Sequence, residues 1–488
     1  MVCLLRKRFF VAHWARRFKK SKHAGDKNRN LRAPCKIGMR SRAVFFGLSF
    51  QRRNFLTAND ERMKSACFGK SCFGKSGKIF KGFLAIFFAA AFFAAGACFA
   101  DGAFAADKRA EAAWKALWGN FYSPKTSMFY DYLNSWEKGE QFKHFPKPEE
   151  ISRNIPNPMG YGTGMENAAI NADIMMIATL AKYDATHEPS LADAASKIFG
   201  GIWNCVMEHA NPGFVLRGKS PFDAAGRYPV SSRDQVTEAV NAAFLYWRSP
   251  LSAASDKSRA ARLLCAIADH QMRTVKPEND YNFLDADGKR PQRGAALSKM
   301  WEVAPHEAAR LPMIYIAAYE VSKDEKYLRE YEKYADAAVE QSFGFSDNVA
   351  PWAHWQMHLS LRLISELAPD ARTRTRCAEI LEKSKVLGAK RLLPALKRWD
   401  SLPDSTKYML APDWRETGGE EGAAERKKWR SVWFASEAPA YAGMVIAYGG
   451  KMSDQERRLV RSLLEAVEFD RIAGQAMIYY LALYWLAA

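Results

Sequence analysis

Cysteine is scarce in the part of the chain that has to fold. Five of the eight cysteines (Cys3, Cys35, Cys67, Cys72, Cys98) precede residue 100, leaving Cys205, Cys265 and Cys377. Three widely separated thiols in apolar stretches exclude a disulfide framework and a zinc cluster there, and predict buried free cysteines. Net charge is missing as well. Residues 107–488 hold 50 Lys+Arg against 49 Asp+Glu, while residues 1–106 hold 22 against 4, so almost all of the formal +19 sits in the first fifth of the chain. Without clustered cation excess in the larger part, a dedicated nucleic-acid binder is excluded. Alternating apolar and polar strands are scarce too, and the aromatic and aliphatic content of 107–488 rules out disorder.

The basic first hundred residues read as an address. Gly82 to Ala100 carries no charged residue, Lys64, Lys70, Lys75, Lys78 and Lys81 stand just before it, and Ala103-Phe104-Ala105 follows. A basic region, an apolar run and a small-x-small site make a secretory signal peptide over 63–105, cleaved near Ala105. The run is long enough to compete as a membrane anchor, because roughly 20 residues span a bilayer. Signal peptides begin near the initiator Met, so 1–62 reads as a basic extension from a mis-assigned start. The expected product is an exported protein, periplasmic or extracellular, that meets membrane only through this segment.

From about Lys108 the apolar period is helical. Tyr327, Tyr331, Tyr334 and Ala338 step by four, three and four, and Trp352, Trp355, Leu359, Leu363 and Leu367 repeat the pattern. Val236, Val240, Ala243 and Trp247 form a third stripe, and Pro305 suits the first turn of a helix. Further patterns cover about 108–118, 127–137, 165–184, 191–210, 255–274, 371–394, 435–448, 453–468 and 471–487. The polar connections fall at 211–232, 276–298 and 399–432. A dozen helices without a fixed-length repeat predict an all-α (α/α)6 toroid over 106–488, rather than a solenoid. Such a ring gathers long loops at one rim, where a substrate cleft belongs.

Four loop-to-helix junctions concentrate polar and aromatic residues. In Gly160-Tyr161-Gly162-Thr163-Gly164-Met165-Glu166-Asn167, three glycines allow close backbone approach and Glu166 opens a helix whose N–H groups favour its ionised form. In Tyr228-Pro229-Val230-Ser231-Ser232-Arg233-Asp234-Gln235, a serine caps a helix on which Asp234, Glu238 and Asn241 follow at i, i+4 and i+7. A solvated face gives the same line, but a helix flanked on both sides in a ring has little free surface. In Trp301-Glu302-Val303-Ala304-Pro305-His306-Glu307-Ala308-Ala309-Arg310, His306 and Glu307 offer a base and an acid, Arg310 an anion clamp, and Trp301 a stacking face. Metalloprotease spacing would need histidine where Arg310 stands. The local alternative is an ion pair of Arg310 with Glu307 at i+3. In Trp352-Ala353-His354-Trp355-Gln356-Met357-His358, the two histidines share a helix face at metal spacing, but no third ligand is near. Hydrogen-bonded core histidines are expected, with neither metal nor cofactor.

The segments GYGTGMEN, YPVSSRDQ and KMWEVAPHEAARLP, on an all-helical exported chain, resemble secreted bacterial proteins of the six-hairpin glycosidase type. The resemblance covers most of 110–480. It implies an (α/α)6 toroid acting on carbohydrate, as in unsaturated glucuronyl hydrolases, other glycosidases and, with related toroids, polysaccharide lyases. Its hydrolases use an aspartate or glutamate as proton donor, and Asp234 is the position matched to that role. The resulting expectation is a glycoside hydrolase acting on oligosaccharides, some containing uronic acid. Asp234 is the general acid/base and Glu307 or Glu166 its partner. Tyr161, Arg233, Gln235, Trp301, Arg310 and Trp352 contact the sugar, with Arg233 or Arg310 on a substrate carboxylate. Two alternatives stand beside it: a lyase in which His306 or a tyrosine abstracts the proton alpha to a uronate carboxylate, and a non-catalytic glycan-binding scaffold.

Overall fold

The structure, a computed structural model, describes residues 106–291, 297–417 and 419–488. The proposed leader, the basic extension and their cysteines lie outside the described residues. Among the described residues are twelve helices of eleven residues or more, labelled here α1 to α12. The first hairpins are α1 (106–116) with α2 (Ala168–Thr186), and α3 (Leu191–Val206) with α4 (Arg233–Arg248). Then come α5 (Ala254–Thr274) with α6 (Arg310–Ser322), and α7 (Glu325–Ser342) with α8 (Pro351–Leu367). The last are α9 (Ala371–Asp400) with α10 (Gly419–Ala447), and α11 (Asp454–Ala466) with α12 (Ala476–Ala487).

The even-numbered helices pack on one another in sequence, α2 on α4, α4 on α6, α6 on α8, α8 on α10, α10 on α12, and α12 back on α2. That closes a ring. The odd-numbered helices lie outside it: α3, α5, α9 and α11 each pack against the inner helices on both sides in sequence, and α7 packs against α6 and α9. Helix α1 completes the outer layer: Arg109 Nη1 donates to Glu465 O at 2.8 Å, and Tyr484 on α12 reaches Asp107 at 2.5 Å. The fold is an (α/α)6 toroid.

Side-chain patterning explains which helices go where. The inner helix α12, AMIYYLALYWLA, has no polar face and is buried from Ala476 to Leu483. The outer helix α11, DQERRLVRSLLEA, buries only Val460, Leu463 and Leu464. A helix flanked on all sides tolerates apolar residues all round, whereas an outer one needs a single apolar stripe. Ser453 and Glu456 close a capping box at the start of α11, satisfying amides that would otherwise lack partners.

Three expectations are corrected. The 127–137 segment is not a helix: it holds a two-stranded antiparallel ribbon pairing Tyr122–Ser123 with Met128–Phe129, then an extended run. Leu133 in that run bonds Ala473 and Ala411, which ties two distant loops to the same rim. The 399–432 connection is largely helical, because α9 runs on to Asp400 and α10 begins at Gly419. Pro305 opens a 3₁₀ turn, Pro305–Glu307, and α6 begins only at Arg310. Cys205, Cys265 and Cys377 are free thiols, with Cys205 and Cys377 buried.

A candidate carboxylate–arginine cleft at the mouth of the ring

The loops preceding the inner helices meet at one end of the toroid and enclose a cleft of about 330 Å³. Its walls bring together the starts of α2, α4, α8 and α12, through Asn167, Asp234, Trp352 and Gln475, and the middle of α10, through Arg430, Trp433, Phe434, Glu437 and Tyr441. Helix N-termini carry partial positive charge, so the mouth favours negative groups before any side chain is counted.

Asp234, in the first turn of α4, reaches into this cleft. Its carboxylate pairs with Arg310 Nη1, and Arg310 Nη2 donates to Gln356 Oε1 at 2.8 Å. Burial alone would raise the Asp234 pKa. The Arg310 charge and hydrogen bond, with Arg233 and Arg217 behind them, outweigh it and hold the carboxyl below the usual range. The line Asp234, Glu238, Asn241 faces the interior of the ring, not solvent. Asn241 Nδ2 donates to both oxygens of Asp173 on α2, at 2.8 and 3.1 Å, and Glu238 is completely buried beside them. Burial pushes Asp173 up to about 7, and burial together with Asp173 raises Glu238 well above the carboxylate range.

Glu437 stands on α10, which is not a ring neighbour of α4. Trp433 Nε1 and, at 2.7 Å, Gln475 Nε2 both donate to its Oε1. Burial raises its pKa to about 7, the two hydrogen bonds and Arg430 only partly opposing it. Sequence reading missed Glu437 because it lies inside a long helix among apolar neighbours. The available signal was Trp433, one helical turn before it.

The other expected site residues take distinct places. Tyr161 and Trp352 line the cleft, each about 40 % exposed. Arg310 lies behind Asp234, 1 % exposed. Arg233 donates through Nε to Glu307 Oε1 at 2.7 Å, and His306 Nε2 lies 3.9 Å from the same oxygen. Arg310 therefore pairs with Asp234 and Glu307 with Arg233, in place of the local Arg310–Glu307 pair that sequence spacing allows. Burial, with Arg310 and Arg233 nearby, lowers the His306 pKa against the pull of Glu307.

Glu166 is fully buried beneath the cleft floor. Its carboxylate accepts the N–H groups of Gly162, Thr163 and Gly164 at 2.8, 3.1 and 2.9 Å. Gly160, Gly162 and Gly164 all have positive φ, and a Cβ on Gly160 would meet the Tyr228 ring at 2.3 Å, so the loop requires glycine there. Gln235 donates to Glu166 O at 2.9 Å, locking α4 to this loop. Trp301 packs edge-on against Tyr334 at 4.7 Å. His354 Nε2 and His358 Nδ1 share the Ser384 hydroxyl at 2.9 and 3.0 Å, and burial pushes both down to about 3. They are neutral core histidines joined by one hydroxyl.

A second cavity of about 350 Å³ opens where the inner helices end, lined by Leu180, Leu245, Arg248, Arg362 and Tyr448. Both arginines are closed onto Glu366, at 2.5 and 2.8 Å. The cleft at the helix starts is the one that pairs an ionised carboxylate with a carboxyl of raised pKa.

No protein-family model matches the sequence, and no curated protein is detectably similar to it. Among solved structures, the chain is similar to the GH76A alpha-1,6-mannanase from Salegentibacter sp. HEL1_6, at 13% identity and a TM-score of 0.32, over 68% of this chain and 99% of that one. It is also similar to a glycoside hydrolase family 76 mannosidase from Bacteroides thetaiotaomicron VPI-5482, at 14% identity and a TM-score of 0.29, over 67% of this chain and 98% of that one.

Proposed function

We propose that the chain is a glycoside hydrolase whose cleft cuts an oligosaccharide between Asp234 and Glu437. One observation carries the reading: two carboxyls line one cleft and their surroundings push their pKa values apart. Arg310 keeps Asp234 ionised, while burial keeps Glu437 protonated close to neutral pH. Such a split assigns an acid and a base. Glu437 supplies the proton to the departing glycosidic oxygen, and Asp234 acts on the anomeric side, as base toward water or as nucleophile. Both bonds to Glu437 fall on Oε1, which leaves Oε2 as the atom to carry the proton. Of the expected partners for Asp234, Glu307 is engaged by Arg233 and Glu166 by three amides, and Glu437 takes their place in this scheme.

The aromatic rings at the mouth suit sugar faces, and a two-carboxyl acid/base scheme calls on neither metal nor cofactor. The apolar run 82–100 and the site near Ala105 support export of the mature toroid. A secreted product whose N-terminus falls near Ala106 would test that part.

The experiment for the activity is a broad oligosaccharide and polysaccharide panel, assayed for new reducing ends and for absorbance of unsaturated uronate. Hydrolysis yields reducing ends alone, and Asp234→Asn abolishes them. New unsaturated product would replace this reading with a lyase. Binding without turnover by the parent protein would replace it with a glycan-binding scaffold.

A further inference from the structure

Four arginines stand in or beside the cleft, and they divide into two pairs. Arg233 and Arg310 are closed onto Glu307 and Asp234. Arg217 and Arg430 form no ion pair with a carboxylate among the described residues. Arg217 is only 8 % exposed; its Nη1 donates to the Glu166 carbonyl at 3.2 Å, and its Nε is buried without a hydrogen-bond partner. Arg430 Nη2 donates to the Tyr161 hydroxyl, and its Nη1 is likewise buried and unpartnered. Orphaned donors on a buried guanidinium are costly. Glu166, the nearby acid, is occupied by three backbone amides and held toward its neutral form by burial.

Around these cations lies an aromatic collar. The Arg430 guanidinium sits 4.7 Å from the Tyr161 ring centre and 5.1 Å from that of Phe434. Trp352 stacks on Phe434 at 5.9 Å, and all three rings are between 38 and 40 % exposed. Flat faces of that kind hold sugar rings, while the guanidinium fork matches an oxyanion.

We propose that Arg430 and Arg217, beside the Tyr161 hydroxyl, receive an acidic substituent of the substrate, a carboxylate or a sulfate carried on a sugar. The anion meets the guanidinium edges that Arg430 and Arg217 present to the cleft, and the aromatic collar holds the sugar that bears it. The role expected from sequence for Arg233 or Arg310 passes to two cleft-lining residues that close no ion pair among the described residues. This rests on the glycan-cleaving reading for the identity of the ligand, while the receptor is argued from Arg430 and Arg217 themselves.

The test uses matched oligosaccharide pairs: xylo-oligosaccharides with and without glucuronate, and galactan oligosaccharides with and without sulfate. For the parent protein, kcat/KM on one acidic member exceeds its neutral counterpart by about tenfold or more. Whichever pair shows the ratio identifies the anion. In Arg430→Ala the ratio collapses toward one, and Arg430→Lys, which keeps the charge but loses the fork, retains part of it. Calorimetric binding to Asp234→Asn follows the same preference. A ratio near one in the parent, or a ratio unmoved in Arg430→Ala, overturns the proposal while leaving the hydrolase reading intact. Acid-selective binding that depends on Arg430, without hydrolysis of any glycan, overturns the hydrolase reading and supports the receptor.

Discussion

Asp234 and Arg310, 76 residues apart in sequence, close an ion pair that joins α4 to α6 at the mouth of the ring. The guanidinium is 1 % exposed and the carboxylate 28 %, so the cation is locked while the anion keeps one side toward the cleft. That asymmetry suits a carboxylate that works on a ligand and an arginine that fixes its position and charge. Replacing Arg310 with Met removes the partner and leaves Asp234 half-desolvated. Unfolding free energy falls by about 3–5 kcal/mol, the usual cost of breaking a buried pair. The acidic limb of the rate profile moves to higher pH, because the group that depressed Asp234 is gone. Chemical denaturation and a pH–rate profile read the two effects separately.

Glu437 sets the alkaline side of that profile. With its pKa near 7, the proposed acid loses its proton as pH rises through neutrality, and activity falls there. Glu437→Gln keeps the shape of the side chain and lowers kcat by about 10²- to 10⁴-fold, the range of a general acid. Residual activity in that variant no longer declines near pH 7. Steady-state kinetics from pH 4 to 9 checks both statements, and an unchanged alkaline limb would remove Glu437 from the mechanism.

Folding stability has a pH dependence of its own. Burial raises Asp173, Asp285 and Glu437 to about 7 in the folded chain, above ordinary values of 3.8 for Asp and 4.5 for Glu. Each therefore binds its proton more tightly folded than unfolded. Their contribution is whole below about pH 4, declines as pH rises, and is lost above about pH 7. Asp234 runs the other way, since its lowered pKa costs stability only as pH falls through the acid range. The three carboxyls thus make stability fall from pH 5 to pH 8, while the buried histidines His354 and His358, held at about 3, make it rise over the acid part of that span. The change in melting temperature from pH 5 to pH 8 is therefore more positive in Asp173→Asn than in the parent. Thermal melts in matched buffers measure it.

Glu166 holds a loop through three amides, so its substitution is read in stability before rate. Glu166→Gln turns an NH2 group toward backbone donors and costs about 2–3 kcal/mol. The folded fraction keeps far more activity than Asp234→Asn does. Equal catalytic loss in the two variants, at equal folded fraction, would place Glu166 in the chemistry instead.

Trp352 offers a stacking face at the cleft mouth. Trp352→Ala raises KM about three- to tenfold with kcat little changed, the signature of lost uniform binding. A fall in kcat at constant KM would contradict that assignment.

Much of this could be read along the chain. Helical spacing marked the ring helices, since an inner helix such as α12 is apolar all round and an outer one such as α11 carries a stripe. The placement of Asp234 on the first turn of a helix, with Glu238 and Asn241 below it, was also visible. Glu437 was not, because a carboxyl inside a long apolar helix has no local pattern to mark it. Arg217 sits in a loop with no period at all. The pairing of Arg310 was open, because Glu307 lies within one helical turn and Asp234 does not.

Local spacing is a property of neighbours in sequence, and it determined the helices, their buried faces and the junctions where polar residues gather. Which charge meets which is decided by ring closure, which sets α4 beside α6 and brings α10 into the same cleft. Only that closure spends Arg310 on Asp234 and Arg233 on Glu307, and sets Arg430 and Arg217 in the cleft lining without a carboxylate partner among the described residues. The scarcity of net charge beyond residue 107 is a sequence fact. The local cation excess at the cleft is a tertiary one, because Coulomb interactions depend on distance in space and not on distance along the chain.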